Sequence, residues 1–88
     1  MMGRVVKVPP GLTISKILDE KMNITVKEFA RRMGLPLQDA EELIAGDKKI
    51  THEIALKLEA VLGFTALYWE TREKLYREYL RTINEEEN

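Results

Sequence analysis

The chain has 88 residues, 44% hydrophobic and 33% charged, with a net charge of −1, one histidine and no cysteine. That length holds one small core and leaves no room for a catalytic domain beside it, and the composition is that of a folded helical chain rather than a disordered one. The missing cysteines exclude disulfides and thiolate metal sites, and His52 alone cannot assemble a zinc site, so no metal or cofactor is expected.

Residues 4–8 (RVVKV) suit a short extended segment or a frayed arm, and Pro9-Pro10 ends it. Pro10 fits the first turn of a helix over residues 11–22, in which Ile14, Ile17, Leu18 and Met22 recur at helical spacing. Thr25 with Glu28 three residues later is a capping box, in which hydroxyl and carboxylate satisfy each other's free backbone donors. Val26, Phe29, Ala30 and Met33 follow at i, i+3, i+4 and i+7, giving a short second helix with a clear inner face. Gly34 suits a left-handed C-cap, and Pro36 is tolerated only near the start of a third helix, residues 36–45, with Ala40, Leu43 and Ile44 inward.

Residues 46–49 (GDKK) read as a loop. Thr51 can cap a fourth helix with Glu53 in its first turn and Ile54, Ala55, Leu58, Val61 and Leu62 as its buried stripe. Gly63 ends that helix, and Thr65 can cap a long fifth one reaching about residue 83, leaving 84–88 as an acidic, solvated tail. The expectation is therefore an all-α, five-helix single domain over 1–88, with a helical core at 9–83 and an N-terminal arm at 1–8. No apolar run is long enough for a membrane span, and the N-terminus lacks a secretory signal, so a cytoplasmic protein without a membrane partner is expected.

Two helices folded about a Gly-containing turn, with Ala30 at the fifth position of the first, describe a helix-turn-helix. In that motif the first helix crosses the DNA backbone and the second enters the major groove. Charge is distributed unevenly for such a role. Residues 1–34 hold Arg4, Lys7, Lys16, Lys21, Lys27, Arg31 and Arg32 against Asp19, Glu20 and Glu28, whereas the third helix carries Asp39, Glu41 and Glu42 and no cation. A like-charge pair about 5 Å apart in water costs roughly 0.8 kcal/mol before screening, so three acids oppose phosphates by around 2 kcal/mol. Lys27, Arg31, Lys48 and Lys49 offset about that much. Asp39 near the helix N-terminus also suits the helix dipole, and Glu41 and Glu42 are good helix formers on a solvated face, so these acids need imply no partner at all.

The stretch TVKEFARRMGLPLQDAEELIAG resembles the helix-turn-helix of the lambda-repressor-like, or XRE, family, with Ala30, Gly34 and Gly46 in register. PPGLTISKIL, KKITHEIALKLEAVLG and LYWETREKLYREYL are similar, in order, to the flanking helices of HigA-type antitoxins, so the likeness covers about residues 9–80. It implies a five-helix lambda-repressor-like domain that binds an operator in double-stranded DNA as a homodimer and represses its own operon. Many members also neutralise a small ribonuclease toxin, which makes a small basic toxin protein a second candidate partner. The departures lie where DNA is read: Val26 replaces the usual phosphate-holding Gln, Pro36 a common Ser, and Glu41 a common Ser or Thr. Gln38 retains a side chain suited to adenine, and Glu41 can accept from cytosine N4.

Under this reading Thr25, Lys27 and Arg31 hold the backbone, Leu37, Gln38 and Glu41 face bases, and Lys48 and Lys49 grip phosphate beyond the third helix. Trp69 belongs to the core, and Tyr76, Tyr79, Leu80 and Ile83 form the dimer interface, because the fifth helix is longer than a four-helix core can cover. His52 is expected as an exposed first-turn residue. No Ser-His-Asp set, paired-carboxylate pocket or phosphate-binding Gly loop is evident, so no enzyme is expected. The rival reading is a protein-interaction module that kept the fold and uses its acidic third helix to bind a basic partner.

Overall fold

Threonine hydroxyls open three of the helices, accepting backbone donors that the first turn leaves free. The computed structural model describes residues 9–87, with side chains to 83; the extended segment expected at 4–8 lies outside the described residues, as does Asn88. Helix α1 (Pro10–Lys16) leads into a π-helical turn (Ile17–Met22), followed by α2 (Val26–Met33), α3 (Leu37–Ala45), α4 (His52–Leu62) and α5 (Ala66–Glu87). No strand occurs among the described residues, and the all-α, five-helix expectation holds.

Thr25 Oγ1 accepts from the Glu28 N–H at 3.1 Å, Thr51 Oγ1 from Ile54 N–H at 3.3 Å, and Thr65 Oγ1 from Tyr68 N–H at 3.2 Å. Gly34 and Gly46 close α2 and α3 in the left-handed region, with φ of 72° and 89°, where a side chain would be strained.

Three boundaries and one cap differ from the sequence reading. The helix expected over 11–22 turns π-helical at Ile17, and the Leu18 carbonyl accepts the N–H groups of both Asn23 and Ile24. Pro36 lies outside α3 as its extended N-cap, with ψ 150°, since proline offers no N–H and its conformation here is not helical. The capping box is half made: Glu28 turns its carboxylate to Arg31 and Arg32 instead of back to Thr25. Finally, α5 continues through Glu87, so the backbone of most of the expected tail is helical; glutamates are good helix formers and no Gly or Pro interrupts them.

The core is built from Ile14, Ile17 and Leu18, from Phe29, Ala30 and Met33 of α2, Ala40 and Leu43 of α3, Ile50, then Ile54, Ala55 and Leu58 of α4 and Trp69 of α5. Trp69 is fully buried, its ring meeting Phe64 and Tyr68 edge to face at 5.9 and 5.0 Å between centroids. Gly11 marks the tightest helix contact. A Cβ at that position would stand 2.0 Å from the Ile44 carbonyl oxygen, so only glycine lets α1 cross the C-terminal turn of α3 this closely.

Candidate nucleic-acid interface

Burying Phe29, Ala30 and Met33 leaves Lys27 and Arg31, four residues apart, on the outer face of α2, and both are exposed. The turn through Gly34 and Pro36 then presents α3 with Ala40 and Leu43 inward. Leu37, Gln38, Glu41 and Ala45 face solvent; Leu37 keeps 43% of its surface exposed, although it is apolar. Lys48 is half-buried and Lys49 exposed in the loop after α3. Of the residues expected to hold the backbone or face bases, Thr25, Lys27, Arg31, Leu37, Gln38, Glu41 and Lys49 are exposed and Lys48 is half-buried.

Two of these side chains have intramolecular partners. Arg31 and Arg32 both donate to Glu28, through Arg31 Nε at 2.9 Å and Arg32 Nε at 2.8 Å, and Arg31 Nη2 contacts the same carboxylate. Those donated bonds hold the Glu28 carboxyl at a pKa of about 2 and push the Arg31 guanidinium further up. All three groups are open to solvent, so the contacts are easily exchanged for phosphate or water. On α3 Gln38 Nε2 donates to Glu42 at 3.1 Å, so the candidate adenine reader is held by a neighbouring acid.

The scaffold behind this face rests on ties that sequence pattern did not reveal. Lys57 of α4 donates to the Met33 carbonyl at 3.2 Å, completing the end of α2. Arg77 of α5 does the same for the end of α3, donating from Nη2 to the Gly46 carbonyl at 3.2 Å and from Nε to Glu73. Arg72 Nη2 reaches Thr13 Oγ1 at 2.8 Å and ties α5 to α1. Glu73 and Trp69, four apart on α5, were the available hint that this helix face continues inward past the aromatic cluster. His52 stands exposed in the first turn of α4, its Nδ1 against the carboxylate of Glu70.

Beyond Arg77 the same side of α5 carries Leu80 and Ile83, with Tyr76 and Tyr79 alongside at 6.4 Å between ring centroids; all four are half-buried. Among the described residues no group of three or more His, Cys, Asp or Glu is placed to hold a metal ion. No helix among the described residues is long and apolar enough to cross a membrane.

The outward third helix, the Gly34 turn and the capped second helix define a helix-turn-helix protein, and the comparisons agree with that class. No family model matches the chain. It is 38% identical over 60 residues to an HTH-type transcriptional regulator of Escherichia coli K12, YddM, itself uncharacterised; the match takes in 68% of this chain and 63% of that protein. The chain therefore spans less than two thirds of the length of that curated relative. Among solved structures it is similar to one described as an antidote protein of a plasmid maintenance system from Nostoc punctiforme, with a TM-score of 0.86, 29% identity and coverage of 94% of this chain and 90% of that one. A HigA-family addiction module antidote protein from Coxiella burnetii shares the fold, with a TM-score of 0.84 at 18% identity over 92% and 88% of the two chains. The chain is thus a helix-turn-helix protein similar to an HTH-type regulator and to antidote proteins, consistent with the resemblance to the XRE, lambda-repressor-like family and its HigA-type branch.

Proposed function

We propose that this protein is a DNA-binding transcriptional regulator of the HigA-like antitoxin type, a homodimer that represses its own operon from the cytoplasm and has no enzymatic activity. The observation that carries this reading is the exposed face of α3 formed by Leu37, Gln38, Glu41 and Ala45, flanked in sequence by Lys27 and Arg31 on α2 and by Lys48 and Lys49. Two copies joined along the Tyr76–Ile83 side of α5 would place two such helices in successive major grooves, about 34 Å apart. Thr25, Lys27, Arg31, Lys48 and Lys49 hold phosphates, while Leu37, Gln38 and Glu41 face base edges. The regulator and antidote descriptions of the similar proteins support the reading.

A second reading is favoured by a specific observation: α3 shows Glu41 and Glu42 outward, has no cation, and ties Gln38 to Glu42. On that view α3 engages a small basic protein, such as a toxin, in place of DNA. Titrating a duplex from upstream of its own gene at several salt concentrations separates the two. A regulator shows sequence preference and a steep fall of affinity with salt, whereas a flat or absent response favours the protein partner.

A further inference from the structure

We propose that Arg77 is the positioning residue through which α5 fixes the C-terminal end of α3 and the Lys48–Lys49 loop. The dimer-forming side of α5 and the DNA-facing side of α3 would then be held as one body. Its functional half rests on the dimeric-regulator reading above; its structural half does not.

Three contacts converge on this guanidinium. Nε donates to Glu73, which keeps only 8% of its surface exposed and is the one buried charged side chain among the described residues. Nη2 donates to the Gly46 carbonyl at 3.2 Å, and the guanidinium lies 5.4 Å from the centre of the Tyr76 ring. Gly46 is the left-handed cap of α3, and the loop that follows it has no regular structure of its own before α4 begins at His52. That loop carries Lys48 and Lys49, so Arg77 grips the chain two residues before the first phosphate-holding lysine, next to the Asp47 N–H that donates to the Glu42 carbonyl at 2.9 Å. Tyr76, whose ring the guanidinium overlies, belongs to the half-buried stripe with Tyr79, Leu80 and Ile83. One planar cation therefore touches the recognition-helix cap, a buried acid and the interface aromatic together. Arginine suits this post because its donors diverge in a rigid plane that also stacks on a ring; a lysine ammonium cannot reproduce the divergent donors and the flat face together.

The test is residue-resolved amide exchange on the full chain, comparing wild type with Arg77→Gln, Arg77→Lys and the double variant Glu73→Gln/Arg77→Gln. The double variant removes the buried charge together with its partner, which guards against simple unfolding from an unpaired carboxylate. The expected result is exchange at least tenfold faster for the amides of Gly46 and Asp47, which donate to the Leu43 and Glu42 carbonyls, in all three variants, while those of Ile54–Leu58 in α4 keep their protection. Uniform acceleration along the double variant, or no local change at Gly46 and Asp47, would overturn the proposal. The DNA arm measures the salt dependence of duplex binding. The double variant should lose part of the slope that Lys48 and Lys49 contribute, and an unchanged slope beside a bound wild type would overturn the functional half. A wild type that binds no DNA at all would instead remove the regulator reading, and the exchange result would still decide the role of Arg77.

Discussion

Helices α2 and α3 are nearly equal in length, 8 and 9 residues, and pack on the same core, yet their outward faces carry opposite charge. α2 holds Lys27, Arg31 and Arg32 against Glu28; α3 holds Asp39, Glu41 and Glu42 with no cation. Inward, both obey one rule, as Phe29, Ala30 and Met33 on one helix and Ala40 and Leu43 on the other are buried to the same degree. What differs is therefore free of the fold. On the proposed DNA-binding reading, α2 offers cations to phosphates, whereas α3 presents acids that would oppose the backbone on either side of the groove. Phosphate contacts supply affinity and register, base contacts supply selectivity, and the two requirements are separable.

The most disruptive test moves the pair of faces themselves. Gly11→Ala forces a methyl group against the Ile44 carbonyl, which must drive α1 away from α3. Urea denaturation should register a loss of about 3 kcal/mol or more, at the severe end for one added carbon, because a backbone atom and not a flexible side chain blocks it. Next in size is Leu80→Lys, which puts a charge on the proposed dimer side of α5. Sedimentation should show monomers, and duplex affinity should fall on the order of a hundredfold as two pairs of faces become one.

Charge reversal across the comparison should be gentler. Changing Glu41 and Glu42 together to Gln removes two opposing charges and should strengthen DNA association by about tenfold at low salt, from roughly 0.8 kcal/mol each. An unchanged affinity would mean that α3 does not face phosphates. Changing Lys48 and Lys49 to Ala should instead flatten the log–log salt slope by up to about 2, near 0.9 for each phosphate no longer neutralised.

The smallest effect belongs to Glu28, which occupies Arg31 and Arg32. Glu28→Gln should raise duplex affinity a few-fold by freeing both guanidiniums. Its carboxyl is depressed from 4.5 to about 2, so any stability it contributes is complete above the ordinary carboxylate range and is lost as pH falls toward 2. The difference between wild type and Glu28→Gln should thus stay constant from about pH 8 to pH 5 in denaturation experiments and vanish in strong acid.

Sequence periodicity was sufficient for the parts of this molecule governed by local rules. The threonine caps at Thr25, Thr51 and Thr65, the glycine stops at Gly34 and Gly63, and the inward stripes of α2 and α4 all stand where spacing and capping chemistry place them. The contacts that orient α3 were not legible, because they join residues far apart in the chain: Arg77 with Gly46, Arg72 with Thr13, Lys57 with the Met33 carbonyl, and Gly11 against Ile44. Charged residues on amphipathic helices read as solvated until a tertiary partner appears; Arg77 meets the Gly46 carbonyl, and Glu73, its partner one turn back on α5, is buried. Glu28 shows the converse: the capping-box pattern was present, but two arginines one turn later compete successfully for its carboxylate.

The π-helical turn at Ile17–Met22 bears on how the length of this stretch relates to the direction of the chain that follows it. A π ring encloses one residue more than an α ring, and here it lets Ile17 and Leu18 both reach the interior before Asn23 reverses the chain at φ 55°. Asp19, Glu20 and Lys21 are solvent-facing, so their identities are replaceable one for one. Deleting one of them would let the smaller α ring close over the same turn, so the chain downstream would keep its direction with one residue fewer. The stretch therefore stores a residue that an unbroken α-helix would not need.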